Sequence, residues 1–346
     1  MNNTLKEKRV GVINWDCALP EDTFFGFHAS KSLSPQKFRT RTPYYADIVE
    51  ENKITFHYKT QEEYDKELAY AIDAGIDYFA YAWYTEEIVK SSVKTNGVDL
   101  EEKLHELTYA RKMHLKSDLN TKIKMCAVLI CPHIYTDNDF EILADAMKKP
   151  CYEKIDNRPI VYLYGGYRID YIDKLNEVCS KNSLPSPFIC FIDNGALSDD
   201  NNYTKADAVS GYACVAKNIN TYAQLCEEMI RNNEKRKKYE VDIIPLFTTG
   251  WSPLPRIENP VPWIEYADCD YAKDATAEEL IYGGDLLCDW IKENPGFTKT
   301  GHMLAYAWNE FEEGGYLCPT YNADGSINTE RIKAFEQISR KFKDIF

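Results

Sequence analysis

The sequence lacks the marks of several large protein classes. Met1 to Arg9 carries positive charge but no apolar stretch behind it. The run Val10 to Trp15 is short and Asp16 ends it, so no secretory leader is read. No apolar run approaches the roughly 20 residues that cross a bilayer, and membrane insertion is not expected. The 11 cysteines are odd in number and never spaced C-x-x-C; Cys126, Cys190 and Cys214 sit inside apolar runs, as small hydrophobes do. A disulfide framework and a zinc site are thereby excluded, and a reducing cytoplasm is the expected location, with periplasm or secretion following if a leader has been removed. No G-x-G-x-x-G follows the first apolar run and no G-x-x-x-x-G-K-S/T occurs, so no nucleotide cofactor is expected, nor any other. Positive charge is also in short supply. Against 55 acidic residues stand 41 basic ones, a formal net charge of −14, which repels phosphate backbones and argues against nucleic acid as a partner.

What is present is a soluble-globular composition, 44% apolar and 28% charged over 346 residues, with 25 Tyr. A chain of this length buries about three quarters of its unfolded surface. Eight short β-branched or aromatic runs recur: Val10–Trp15, Tyr78–Trp83, Ile123–Cys131, Pro159–Gly165, Phe188–Asp193, Ala208–Ala213, Asp242–Thr249 and His302–Asn309. Most are continuously apolar, as strands covered on both faces of a parallel sheet are. Helical signals fall between most of them. Thr60-x-x-Glu63 and Thr276-x-x-Glu279 read as capping boxes, Gly75 and Asn294-Pro-Gly as helix stops. Leu100–Leu119, Asp139–Lys149, Tyr171–Lys181, Thr221–Lys238 and Thr329–Phe346 read as further helices. Eight βα units in order predict an α/β fold, a single (β/α)8 TIM barrel filling residues 1–346. Long loops follow strand one (Asp16–Lys59) and strand seven (Trp251–Ala275), on the face where barrel active sites form.

The residues ending these strands are aromatic rings, amides and carboxylates: Trp15, Asp16, Trp83, Tyr84, His133, Tyr164, Asp193, Tyr212, Trp251, Trp308 and Asn309. Ring faces stack on the C–H faces of sugars while amides and carboxylates take hydroxyls, so an oligosaccharide or polysaccharide is the expected partner. The basic clamp that a phosphoester needs is missing. Each residue also has a plainer reading: the aromatics as packing, His133 as structural, Asp193 as a turn cap. The eighth run is sharper, because it ends on Glu310 and Glu313. Glycoside cleavage needs one carboxyl to protonate the leaving oxygen and a second negative group near the ring. Two carboxyls enclosed together should push one pKa upward and leave the other ionised. Glu312, between them, is expected to point elsewhere. The plainer reading is an acidic first turn favouring the dipole of a following helix.

Trp308-Asn-Glu-Phe-Glu-Glu-Gly-Gly-Tyr-Leu-Cys-Pro-Thr320 resembles the W/F-N-E-W-x-E-G-x-x-L/I-E-P signature of the clan that joins glycoside hydrolase families 99 and 71 and the WbsX-type domain. Lys59–Tyr84, Thr249–Arg256 and Asn259–Trp263 look similar to bacterial members. The resemblance implies a (β/α)8 barrel and Glu313 as general acid/base. It implies Glu310 as the residue that helps the substrate's 2-hydroxyl attack its own anomeric carbon, giving retention through a 1,2-anhydro intermediate. Asn309 would hold a hydroxyl, and Arg256 joins the substrate-binding set. The signature's aromatic is Phe311 here, and Cys318 stands where many members have Glu. Mannose specificity does not carry over. The expected activity is thus a retaining, endo-acting glycoside hydrolase on an α-linked substrate. A WbsX-like glycosyltransferase is disfavoured by the missing phosphate clamp, and a non-catalytic carbohydrate-binding barrel is the third reading. No oligomeric state is assigned.

Overall fold

The computed structural model describes residues 7–166, 168–194, 205–215, 217–266 and 269–345. The eight apolar runs form strands β1 (Arg9–Asn14), β2 (Tyr78–Trp83), β3 (Lys124–Ile130), β4 (Arg158–Tyr164), β5 (Phe188–Asp193), β6 (Ala208–Gly211), β7 (in two pieces, Asp242–Ile243 and Leu246–Thr248) and β8 (His302–Tyr306). Each lies parallel to the next from β1 through β6. The first piece of β7 pairs with β6 and the second with β8. Between them Ile244 N donates to Val209 O at 3.0 Å and Leu304 N to Pro245 O at 3.0 Å, so the backbone bridges both neighbours. Pro245 has no N–H to give, which is why the strand divides there. β8 then pairs with β1 and the ring of strands returns to its start.

The strands are buried almost from end to end. At Gly11 a Cβ would lie 2.1 Å from the Tyr78 ring, so only glycine lets that side chain into the barrel, where its hydroxyl meets the Tyr162 hydroxyl at 2.8 Å. Around the strands run α1 (Phe24–Leu33), α2 (Gln61–Asp73), α3 (Tyr109–Lys116), α4 (Asp137–Met147), α5 (Ile169–Lys181), α6 (Tyr222–Arg236), α7 (Leu254–Glu258), α8 (Ala277–Glu293) and α9 (Glu330–Lys343). Thr60/Glu63, Thr136/Asp139, Thr221/Gln224 and Thr276/Glu279 each close a capping box. Gly75 follows α2 at φ 74°. The helix expected over 100–119 is shorter: a 3-10 turn at Leu104–Thr108 precedes α3.

The connections over the C-terminal face are more structured than expected. The segment after β1 holds α1, begun where the Thr23 hydroxyl accepts from Gly26 N at 3.1 Å, and a hairpin, Asp47–Glu50 with Lys53–Thr55. The segment after β7 holds α7. A third long connection, from Tyr84 to Thr108, also reaches this face. All 11 cysteines are free, and Cys269 alone is part-exposed. Among the described residues no helix is long and apolar enough to cross a membrane.

Candidate active site

Strand β8 ends at Tyr306, and the chain doubles back within ten residues. Asn309–Glu310 pairs antiparallel with Gly315–Tyr316, and a 3-10 turn, Phe311–Glu313, makes the corner. Glu310, just before this turn, and Glu313, its last residue, both line one cavity. No α-helix follows until Glu330, which removes the reading of these acids as a helix's first turn. The corner is stitched to the end of β7. Ser252 N donates to Glu313 O at 2.5 Å, and the Thr249 hydroxyl donates to Tyr306 O at 2.7 Å. Gly250, at φ 155°, lies so close that a Cβ would stand 2.2 Å from Gly314 O.

Both carboxyls open into a cavity of about 300 Å³ at the C-terminal end of the barrel. Their surroundings differ sharply. Glu313 accepts from three donors: Arg256 Nη1, the Tyr266 hydroxyl and the Tyr306 hydroxyl. Glu310 accepts from one, the Tyr212 hydroxyl, at 2.9 Å. Burial first, and the neighbouring Glu313 charge second, push the Glu310 carboxyl well above the ordinary carboxylate range, so its neutral form is favoured.

Glu312 does face away, but not into solvent. One of its oxygens accepts from the Ser32 hydroxyl at 2.6 Å and from Arg256 Nε at 3.2 Å. The other accepts from Cys17 Sγ at 3.2 Å and from Arg256 Nη2 at 3.2 Å. Burial favours its neutral form, and the Arg256 charge outweighs this and holds it below the ordinary range. Arg256 is thus clamped between two carboxylates and lies 5.1 Å from the Trp15 ring and 5.6 Å from the Trp263 ring.

No protein-family model matches the chain, and no curated protein does. Among solved structures, the chain is similar to a GH99 endo-α-mannosidase from Bacteroides thetaiotaomicron, with TM-score 0.61 and 11% identity over 99% of each chain. A second structure of the GH99 endo-α-mannosidase from that organism gives 0.55 and 12% over 84% of this chain and 81% of that one. The likeness shows the fold, a TIM barrel. At such identities the likeness is one of fold, and the site must be read from its own residues.

Trp15, Tyr84, His133, Tyr164, Trp251 and Arg256 line the cavity with the two glutamates. His133 is engaged there, with Nδ1 2.7 Å from Glu101 Oε1. Five other residues expected to bind substrate stand behind the wall. Trp308 is fully buried against the Phe79 ring and donates Nε1 to Glu67 Oε1 at 2.7 Å. Trp83 is buried beneath the Arg111 guanidinium, 4.2 Å away. Neither ring has a free face on which a sugar could stack. Asp16 pairs with Lys59 Nζ at 2.8 Å, and that ammonium also meets Glu67 at 2.8 Å. Asn309 accepts from Trp15 N at 2.9 Å and donates to Asn14 Oδ1 at 3.2 Å, tying the ends of β1 and β8 together. Asp193 accepts from Asn194 N at 2.7 Å; its neighbour Asn194 is the one that reaches the cavity.

Sequence reasoning did not select Tyr306 or Tyr266 for the site, and it noted Tyr212 at a strand end without selecting it. All three hydroxyls contact the carboxyl pair. Phe25 and Trp263 also line the cavity, their rings 5.1 Å apart. The Asn259–Trp263 stretch was the available signal for Trp263; among 25 tyrosines nothing marks Tyr266 or Tyr306. Trp263 Nε1 is buried and has no hydrogen-bond partner among the described residues.

Proposed function

We propose that this protein is a glycoside hydrolase in which Glu310 and Glu313 cleave the glycosidic bond of a neutral α-linked oligo- or polysaccharide. One observation carries the reading: two buried carboxyls leave a single tight turn at the floor of an aromatic cavity, one met by three donors and the other favoured neutral. That is the division of labour glycoside cleavage needs, with a proton held ready for the leaving oxygen and a negative group beside the ring. With the neutral form favoured at Glu310 and three donors gathered on Glu313, this reading makes Glu310 the acid and Glu313 the negative partner. The resemblance in the Trp308–Thr320 segment implies the opposite order, with Glu313 as acid/base. In either, the negative partner can draw the proton from the substrate's 2-hydroxyl, giving retention through a 1,2-anhydro sugar.

Aryl glycosides with good leaving groups distinguish the orders, because they need no acid. We expect Glu310→Gln and Glu313→Gln each to lose at least about 100-fold on a natural linkage, with the acid's variant recovering on the activated one. Full activity in both variants refutes the reading, and sugar binding with no cleavage across a broad panel selects a non-catalytic barrel. A transferase would instead require an activated donor. Asp-x-Asp pairs that could hold a metal-bound donor occur at Asp137–Asp139 and Asp268–Asp270. Asp139 is engaged in a capping box, and Asp268 lies outside the described residues.

A further inference from the structure

Part of the cavity suits a polyol: ring faces, tyrosine hydroxyls and the Asn194 amide lie around the carboxyl pair. Another part does not. The connection after β2 folds over the site and contributes Leu100, Leu104 and Leu107, and Ile130 at the end of β3, Phe25 of α1 and Ile264 complete an aliphatic and aromatic wall. This wall is built. Glu101 fixes the segment to the end of β3, accepting from Ile134 N at 3.1 Å beside its contact with His133. Glu106 fixes it to α1, accepting from Phe25 N at 3.2 Å. Asn96, at the tip of the Thr95–Val98 turn, donates to Pro262 O at 3.0 Å and ties it to the connection after β7. Leu104 and Leu107 are buried by this packing, yet each still borders the cavity.

An unsubstituted pyranose presents hydroxyls around its whole edge, and a hydroxyl placed against Leu or Ile loses water without gaining a partner. We infer that the site takes a glycoside carrying an apolar substituent, seated against Leu100, Leu104 and Leu107 while the glycosidic bond lies at Glu310 and Glu313. The substituent's chemistry is a methyl or longer alkyl group. It can come from the sugar, as a deoxy position or an acyl ester or amide, or from the leaving group. This inference rests on the glycosidase reading and narrows its substrate.

The test uses the folded Glu310→Gln protein, so that ligands are bound and not consumed. Calorimetric titration compares methyl pyranosides of gluco, manno and galacto configuration with their 6-deoxy and mono-O-acetyl counterparts and with octyl glycosides. Each buried methyl or methylene strengthens binding about fourfold. Preference for deoxy or acetylated sugars assigns the wall to the glycone, and preference confined to octyl glycosides assigns it to the leaving group; either supports the inference. Leu107→Asn and, at a less buried position, Leu100→Asn should erase the preference while their thermal melts report folding. Equal or tighter binding of the unsubstituted sugars overturns the inference and leaves the glycosidase reading standing. Binding of no sugar at all overturns both.

Discussion

Replacing Glu312 by Gln keeps the side chain's shape and removes its charge. In the wild type each Glu312 oxygen meets an Arg256 N–H, and each also meets a second donor, Ser32 or Cys17. Whichever way the amide is turned, its NH2 opposes one guanidinium N–H. The change therefore loses one charge-assisted bond and sets two donors against each other in a fully buried position. Charge-assisted bonds contribute about 1.5–3 kcal/mol and a broken buried ion pair costs about 3–5, so roughly 3 kcal/mol is expected for a substitution that keeps the volume. With an unfolding entropy of about 2.1 cal/mol/K per residue, that lowers the melting temperature by about 4 °C. The functional effect is separate. Arg256 also donates to Glu313 and, at 3.0 Å, to the Tyr266 hydroxyl, so its loosened guanidinium releases Glu313 from its place. A displacement of about 1 Å at a reacting group lowers kcat roughly 100-fold. The charge of Glu312 also contributes to raising Glu310, after burial and Glu313, so its loss should let Glu310 ionise at lower pH. If Glu310 is the acid, the alkaline limb of the pH–rate profile moves to lower pH in Glu312→Gln. The assay is kcat and KM against pH beside a thermal melt. A wild-type pH profile and kcat in a protein whose melting temperature has fallen would show Glu312 to be structural only. An unchanged melt would refute the donor-clash reasoning itself.

At the other end of the barrel, Glu153 meets Arg9 Nη2 at 2.7 Å and lies 3.7 Å from His302 Nε2. Burial opposes its ionisation, but His302 and Arg9 outweigh burial and hold it at about 2. A depressed carboxyl stabilises above its unfolded pKa, so this contribution is full above about pH 4.5 and is lost as pH falls toward 2. Urea titrations should show Glu153→Gln less stable by about 3 kcal/mol at pH 7 and less sensitive to acid than wild type; equal acid sensitivity would refute the assignment. Gly250→Ala places a Cβ 2.2 Å from Gly314 O and must displace the turn that carries Glu313, so turnover should fall at least about tenfold. Wild-type turnover there would show that the turn is not held from β7.

Much of the barrel was legible because parallel strands covered on both faces are apolar runs, and because two capping boxes and Gly75 mark helix ends in the chain itself. The phase of each strand was not legible. Adjacent strand residues point to opposite faces, but a run that is apolar throughout carries no alternation to set the phase. Trp15 and Asp16, or Trp83 and Tyr84, therefore read as equal candidates. The fold sends Trp15 and Tyr84 to the cavity, and Asp16 and Trp83 toward Lys59 of the β1–α2 connection and Arg111 of α3. β8 ends at Tyr306, so its alternation does not run on to Trp308: Tyr306 meets Glu313, whereas Trp308, two residues on, meets Glu67. The donors on the carboxyl pair were beyond reach for another reason. Tyr212 lies 98 residues from Glu310, and Arg256 lies 57 from Glu313; no spacing rule connects such positions before the barrel does.

The two buried charge clusters at this end of the barrel share a construction: one cation against two carboxylates. Lys59 holds Asp16 and Glu67, all three out of contact with the cavity. Arg256 holds Glu312 and Glu313, and only the second reaches it. Each cluster carries one more negative than positive charge when its carboxyls are ionised. That surplus disfavours a further negative charge nearby, in keeping with the neutral form favoured at Glu310. The same surplus acts on ligands. Among the described residues that line the cavity, Arg256 is the only lysine or arginine, and both its neighbouring carboxylates already occupy it. An anionic ligand would enter against this field with no cation left to receive it, whereas a neutral one meets ring faces. The field that favours the neutral form of Glu310 therefore also disfavours an anionic ligand in the cavity.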